Sequence, residues 1–258
     1  HKIETGSNKA TLTLEDGAVV ELEKGGVYQS SLAKSNGEKI VYRASDEKKS
    51  EEKIVYNYLT IPRGGEFHIV LSDGTEVWLN SETQLKYPVN FTKGKPRKVE
   101  LIYGEVYFAV SPSALHEGSV FKVLHQAQDI EVLGTHFNIK AYKDEANIYT
   151  TLVEGKVSVT TQEGTTHVLK PRQQSNLNLN EDTVAITKVN IYNEISWKDG
   201  IFSFRRKPLD EIMKVLSRWY DMDVHFESPE LKKAGFNGVL GRDQNIEDIL
   251  KTIKNFGV

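Results

Sequence analysis

The chain has 258 residues, 38% hydrophobic and 27% charged, with a formal charge of -3 and no cysteine. That is the composition of an ordinary globular protein long enough for one large or two small domains. It excludes disulfides and thiolate metal sites, offers no basic excess to neutralise nucleic-acid phosphates, and contains no apolar run long enough to read as a membrane span.

In chain order, Ala10 to Leu32 predicts a hairpin around Asp16-Gly17, a second turn at Gly25-Gly26 and a strand near Val27. Ser35 to Lys53 is polar, broken only by Ile40, Val41 and Tyr42, and reads as a solvated loop with one short strand. Tyr58 to Phe91 carries the clearest pattern. Phe67, Ile69 and Leu71 alternate before Asp73-Gly74, and Val77 and Leu79 after it, which predicts a β-hairpin closed by a tight turn. Leu12, Leu14, Asp16-Gly17, Val20 and Leu22 repeat that pattern at one constant offset, so the hairpin is a repeated unit. Lys93, Lys95, Arg97 and Lys98 surround Gly94 and Pro96 without aromatic interleaving and read as a solvated turn.

Short strands are expected at Val99 to Val110, Val120 to Leu124, Ile130 to Leu133, Phe137 to Tyr142, Ile148 to Leu152, Lys156 to Thr160 and His167 to Leu169. A second echo pairs Leu101, Gly104, Val106 and Phe108 with Leu152, Gly155, Val157 and Val159, each glycine marking a bulge or bend. Composition changes near Asn190 to Trp197. Beyond it come a strand at Ile201 to Phe204 and a helix opened by Pro208, with Leu209, Ile212, Leu216 and Trp219 on one face. Strands at Val224 to Phe226 and Phe236 to Leu240 follow, then a helix capped by Asn245 and carrying Ile246, Ile249, Leu250, Ile253 and Phe256. The fold class is mainly β: a repeated-hairpin domain, solenoid- or sandwich-like, over 1–192, with 10–57 its looser N-terminal portion. A small α+β subdomain of order β-α-β-β-α occupies 193–258 and lacks its last strand.

The residues spell no catalytic site. Histidines at 1, 68, 116, 125, 136, 167 and 225 form no zinc spacing, and neither a serine-hydrolase elbow nor a phosphate loop is present. The carboxylate pairs Glu51-Glu52 and Glu181-Asp182 lie in polar stretches where solvation keeps both ionised. Catalytic, cofactor and metal residues are therefore expected to be none. Trp78 and Trp197 could serve as platforms for a sugar, which keeps a carbohydrate-binding β domain of a cell-envelope protein as the alternative, although large aromatics in alternating strands more often fill a core.

In order, IPRGGEFHIVLSDGTEVWLNSETQLKYP, VELIYGEVYFAV, IEVLGTHFNIKAY, LVEGKVSV and LKPRQQS resemble the periplasmic part of FecR-type anti-sigma factors. WKDGIFSFRRKPLDEIMKVLSRWYDMDVHF resembles the C-terminal domain that these regulators carry in gut-commensal Gram-negative bacteria, and the resemblance covers about Leu59 to Val258. It implies the sensing half of a single-pass inner-membrane regulator, whose cytoplasmic domain holds an extracytoplasmic-function sigma factor. The sequence opens at His1 without that domain or a membrane helix, so it is expected to be an excised periplasmic portion. The tail is similar to the signalling domain of secretins and TonB-dependent receptors, which implies docking to the signalling domain of an outer-membrane TonB-dependent transducer. An exposed strand edge could accept such a partner. The expected edge is Ile201, Phe202, Ser203 and Phe204, or Phe236, Asn237, Gly238, Val239 and Leu240.

Overall fold

A computed structural model describes residues 3–44 and 54–256; His1 and Glu51-Glu52 lie outside them. Its β part is two long ladders that share one strand, Arg97–Ala109. One ladder runs Val19–Glu23, Ser7–Thr13, Tyr56–Ile61, Thr83–Pro88, Arg97–Ala109, Phe121–His125, Gln128–Val132, Val157–Thr161, Thr166–Leu169. The other runs Tyr28–Gln29, Ala33–Ser35, Lys39–Tyr42, Gly65–Val70, Glu76–Leu79, Arg97–Ala109, His136–Ala141, Asn147–Glu154, Gln173–Asn178, Thr183–Lys188. The chain lays a short run of strands in one ladder, crosses, and does the same in the other, giving a barrel-like arrangement. Alternating residues point inward, so a single buried cluster draws Leu12, Leu59 and Val159 from the first ladder and Ile69, Phe137 and Leu152 from the second.

The repeated hairpin is repeated in its bonds as well. In the first copy Leu14 N–H donates to Ala18 O, Gly17 N–H to Leu14 O and Ala18 N–H to Asp16 Oδ1. In the second, Leu71 N–H donates to Thr75 O, Gly74 N–H to Leu71 O and Thr75 N–H to Asp73 Oδ1. The registers Leu12↔Val20 and Ile69↔Val77 place equivalent apolar pairs in the core. The second echo also has a physical origin. Gly104 and Gly155, at φ 106° and 92°, sit where the chain leaves one ladder for the other, a backbone conformation that a side chain resists. At Gly104 a Cβ would also press into Thr83.

The C-terminal part has its own buried cluster. Helix α1 (Ile191–Ile195), capped by Asn190, and a 3-10 turn (Ser196–Asp199) lead into strand Ile201–Pro208. Helix α2 (Leu209–Tyr220) follows, then strand Gly235–Gly241 and helix α3 (Ile246–Phe256). The two strands pair antiparallel with Phe202↔Leu240 and Phe204↔Gly238, and lay Phe202, Phe204, Phe236 and Leu240 against Ile212, Leu216, Ile249 and Ile253.

Three expectations are corrected. Val224 to Phe226 forms no ladder among the described residues: Phe226 leans on the C-terminal core, but no neighbouring strand takes up the backbone of this segment. The observed order is thus β-α-β-α. Pro208 ends the strand at the cap of α2 rather than opening the helix. Arg97 is no part of a solvated turn, because its guanidinium is 2% exposed and meets Asp73 at 2.7 Å. The polar strands Gln173–Asn178 and Thr183–Lys188 were not expected, since QQSNLN lacks the β-branched alternation of a strand and TVAITK lies almost wholly in solvent at the ladder's end.

Candidate interaction site: an open strand edge above a polar junction

The nine residues expected to form a partner edge do come together, in the two-stranded sheet of the C-terminal part. Their exposure divides them. Phe202, Phe204, Phe236 and Leu240 are buried core residues, so a partner would meet the sheet through backbone and the outward side chains, Asn237 and Val239, the latter 60% exposed. Strand Ile201–Pro208 is flanked by α1 and the 3-10 turn. Ser203 Oγ bonds Asn193 Oδ1 at 2.8 Å and Ser196 Oγ donates to Ile201 O at 3.2 Å. A cavity of about 90 Å³ between that strand and the β part, lined by Glu105, Lys140 and Trp197 among others, marks the same side. The flank of Gly235–Gly241 away from its partner strand has no ladder neighbour among the described residues. At Arg206, in the bulge of the covered strand, the backbone N–H donates to Asn237 Oδ1 at 2.7 Å and fixes that exposed side chain.

Beneath the sheet, three arginines join the C-terminal part to the β part. Arg63 comes from the Arg63-Gly64-Gly65 entry to the second hairpin. It donates to the carbonyls of Ser217 and Met222 at the C-terminal end of α2 and pairs with Asp221 at 3.3 Å and Asp223 at 3.2 Å. A cation there meets the negative end of the helix dipole and adds a charged donor to the Ser217 carbonyl, which already accepts from the Asp221 and Met222 N–H groups. Arg218 reaches the opposite way, to Glu82 at 3.2 Å, Asp144 at 2.5 Å and Glu145 at 2.8 Å, with its guanidinium 3.6 Å from the centre of the Tyr142 ring. Burial would depress its pKa, but Tyr142, Glu145 and Asp144 outweigh this and raise it, so the charge is fixed.

Arg242, immediately after the edge strand, is 2% exposed. Its Nη1 donates to Trp197 O at 2.7 Å and pairs with Glu66 at 3.2 Å, and its Nη2 donates to Asn80 Oδ1 at 3.0 Å. Asn80 Nδ2 donates to Glu105 Oε2, Asn138 Nδ2 to Glu105 Oε1, and Trp197 Nε1 to Asn138 Oδ1. The bonds close a ring through both parts of the molecule. Burial pushes the Glu105 carboxyl up despite Lys140 and the two amide donors, and pushes Glu66 up despite Arg242. Arg242 itself is lowered by the same desolvation.

Sequence reasoning missed this junction. Glu82, Asn80 and Glu145 lie 136, 162 and 73 residues from the arginines they meet, and no local spacing encodes such pairs. Of the two tryptophans weighed as sugar platforms, one is buried and the other half-buried. Trp197 is buried in the ring just described, and Trp78 stacks on His68 at 4.3 Å with Lys198 Nζ 5.9 Å from its centre. Among the described residues no cluster of His, Asp or Glu could hold a metal ion, and no helix is long and apolar enough to cross a membrane. Glu181 and Asp182 are exposed.

Residues 57–158 match the family model described as FecR protein, and residues 201–257 the model described as FecR, C-terminal. Two crystal structures whose description proposes an anti-sigma factor from Parabacteroides distasonis ATCC 8503 are similar to this chain. At 27% identity, one gives a TM-score of 0.68 over 77% of this chain and 90% of that one. The other, also 27% identical, gives 0.66 over 78% and 91%. No curated protein matches. With both of its parts matched under a FecR description and its fold shared with these neighbours, the chain belongs to the FecR-type anti-sigma factors.

Proposed function

We propose that this chain is the periplasmic sensing portion of a transmembrane anti-sigma factor, with residues 1–192 as an all-β domain and 193–258 as a signalling-type unit. The unit docks to the signalling domain of an outer-membrane TonB-dependent receptor. The signal then passes to an extracytoplasmic-function sigma factor held by a cytoplasmic domain, joined to this portion through an inner-membrane helix. In this reading the chain is no enzyme and uses no cofactor. The observation that carries it is the open flank of Gly235–Gly241, on a sheet whose other strand is covered. Unpaired N–H and C=O groups along such a flank accept an added strand, with Asn237 and Val239 beside them to select it.

Calorimetry with the isolated signalling domain of a TonB-dependent receptor from the same cell tests the reading. Binding is expected, and it is expected to be lost when Val239→Lys places a charge on the edge. No heat from the unaltered chain would overturn the reading. Charge reversal at Arg205 and Arg206 with undiminished binding would remove those two residues from the interface.

A further inference from the structure

Strand Gly235–Gly241 runs directly into Arg242, whose guanidinium lies 3.6 Å from the centre of the Trp219 ring. The Trp219 indole N–H donates to the Arg242 carbonyl at 2.8 Å, so ring and loop are held at two points. The same ring is the surface on which the first described residues rest. A Cβ on Gly6 would stand 2.5 to 2.6 Å from three Trp219 ring atoms, and Ile3 packs against the C-terminal core rather than the β core. Backbone bonds reinforce the contact: Gly64 N–H donates to Arg218 O at 2.6 Å, and Ser7 N–H donates to Gly64 O at 3.0 Å. Only at Ser7 does the chain enter its first strand.

We propose that Trp219 is a lever joining the edge strand to the entry segment Ile3–Gly6: a strand added beside Gly235–Gly241 shifts Arg242, moves the Trp219 ring and releases the segment resting on it. The proposal rests on the reading of that edge as the partner site and adds a route by which docking reaches the other end of the chain. The residues along the route touch one another in sequence, a chain of packed groups along which coupling can pass. Coupling of this kind is reciprocal, so disturbing the entry segment should also be felt at Arg242.

Hydrogen exchange and indole N–H resonances of the chain alone test it. Arg242→Gln is expected to speed exchange at the Ser7 and Asn8 amides by about tenfold, a modest coupling for two linked sites. The strands around Leu59, Ile69 and Leu152 should keep their protection. Gly6→Val, with Ile3→Ser as a milder second variant, is expected to move the Trp219 indole signal and speed exchange at 242–246 by a similar factor. That signal is one of three, assigned by its loss in Trp219→Phe. The lever is overturned if either end is altered and the other is unmoved, or if exchange rises uniformly through both cores. No partner enters this experiment, so its failure leaves the edge-strand reading standing. Conversely, a chain that passes it yet binds no receptor signalling domain keeps the lever and loses the proposed partner.

Discussion

Asp16 and Asp73 occupy the same position of the same turn, each accepting from the backbone N–H two residues on at 2.9 Å, yet their surroundings differ. Asp16 is exposed. The Asp73 side chain is 2% exposed, accepts from Thr75 Oγ1 at 2.8 Å, and pairs at 2.7 Å with Arg97, itself 2% exposed. Replacing Asp16 with Ala removes one turn bond in water and should cost about 1 kcal/mol. Asp73→Ala loses the same turn bond and leaves a guanidinium buried without its counter-charge, held by Ser111 O, Ser119 O and the Phe121 ring, and breaking a buried pair costs roughly 3–5 kcal/mol. Because the backbone turn bond is common to both, the difference between the variants reports the pair together with the Thr75 hydroxyl bond, at about 3 kcal/mol or more. Asp73→Asn, which keeps an acceptor for the turn, should retain most of that loss. Urea unfolding followed by circular dichroism reads the difference as a shift in midpoint. If Asp73→Ala and Asp16→Ala fall within about 1 kcal/mol of each other, the Asp73–Arg97 pair contributes nothing beyond a turn and the reasoning fails.

Glu105 and Glu66 are both raised by burial, so the folded chain holds their protons more tightly than the unfolded chain does. Their contribution to stability is therefore full below the ordinary carboxylate value of 4.5 and is lost as pH rises through the raised values; Glu105→Gln should flatten that loss in a series of denaturation midpoints from pH 4.5 upward. Gly104→Ala combines φ 106° with a clash against Thr83 and should cost about 2–4 kcal/mol, whereas Gly17→Ala, at φ 85° with open space around it, should cost about 1 kcal/mol; midpoints in urea compare them. Arg218→Met removes a guanidinium that meets three carboxylates, two of them well exposed, so the loss is set at about 2–3 kcal/mol after screening. It should appear as faster hydrogen exchange in α2 with the β core unchanged.

Much of the β part was legible because its information is local. Period-two alternation and Asp-Gly turns mark both hairpins, and the seven strands expected between Val99 and Leu169 all form, at shifted ends. The glycines were legible too, since Gly104 and Gly155 interrupt apolar runs where a strand would otherwise avoid them. Gln173–Asn178 was not, because its place comes from pairing with Asn147–Glu154 rather than from its own residues. Arg97 misled for a related reason. A run of basic residues around Gly and Pro looks solvated until the fold carries it to Asp73, 24 residues earlier. The two strands that carry the nine proposed edge residues were legible by pattern alone, but alternation in a strand cannot say which side chains face helices and which face solvent until the helices are placed.

The chemistry of the junction bears on what the molecule can do. Had the two buried clusters merged through leucines and phenylalanines, parting them would expose apolar surface at about 25 cal/mol per Å², and the parts would move as one. They are joined instead by guanidinium groups whose acceptors include Asp144 at 58% and Asp223 at 98% side-chain exposure, which water can solvate as the contact opens. Only the ring through Glu105 and Arg242 is fully buried, and there every hydrogen bond carries direction: both asparagine amides must donate to the carboxylate for their carbonyls to accept from Arg242 and Trp197. A contact of this kind has a rim that yields readily and a centre that is either correctly made or broken. Such a junction suits a module that must hold one arrangement at rest and leave it when a partner binds, which a continuous apolar core would prevent.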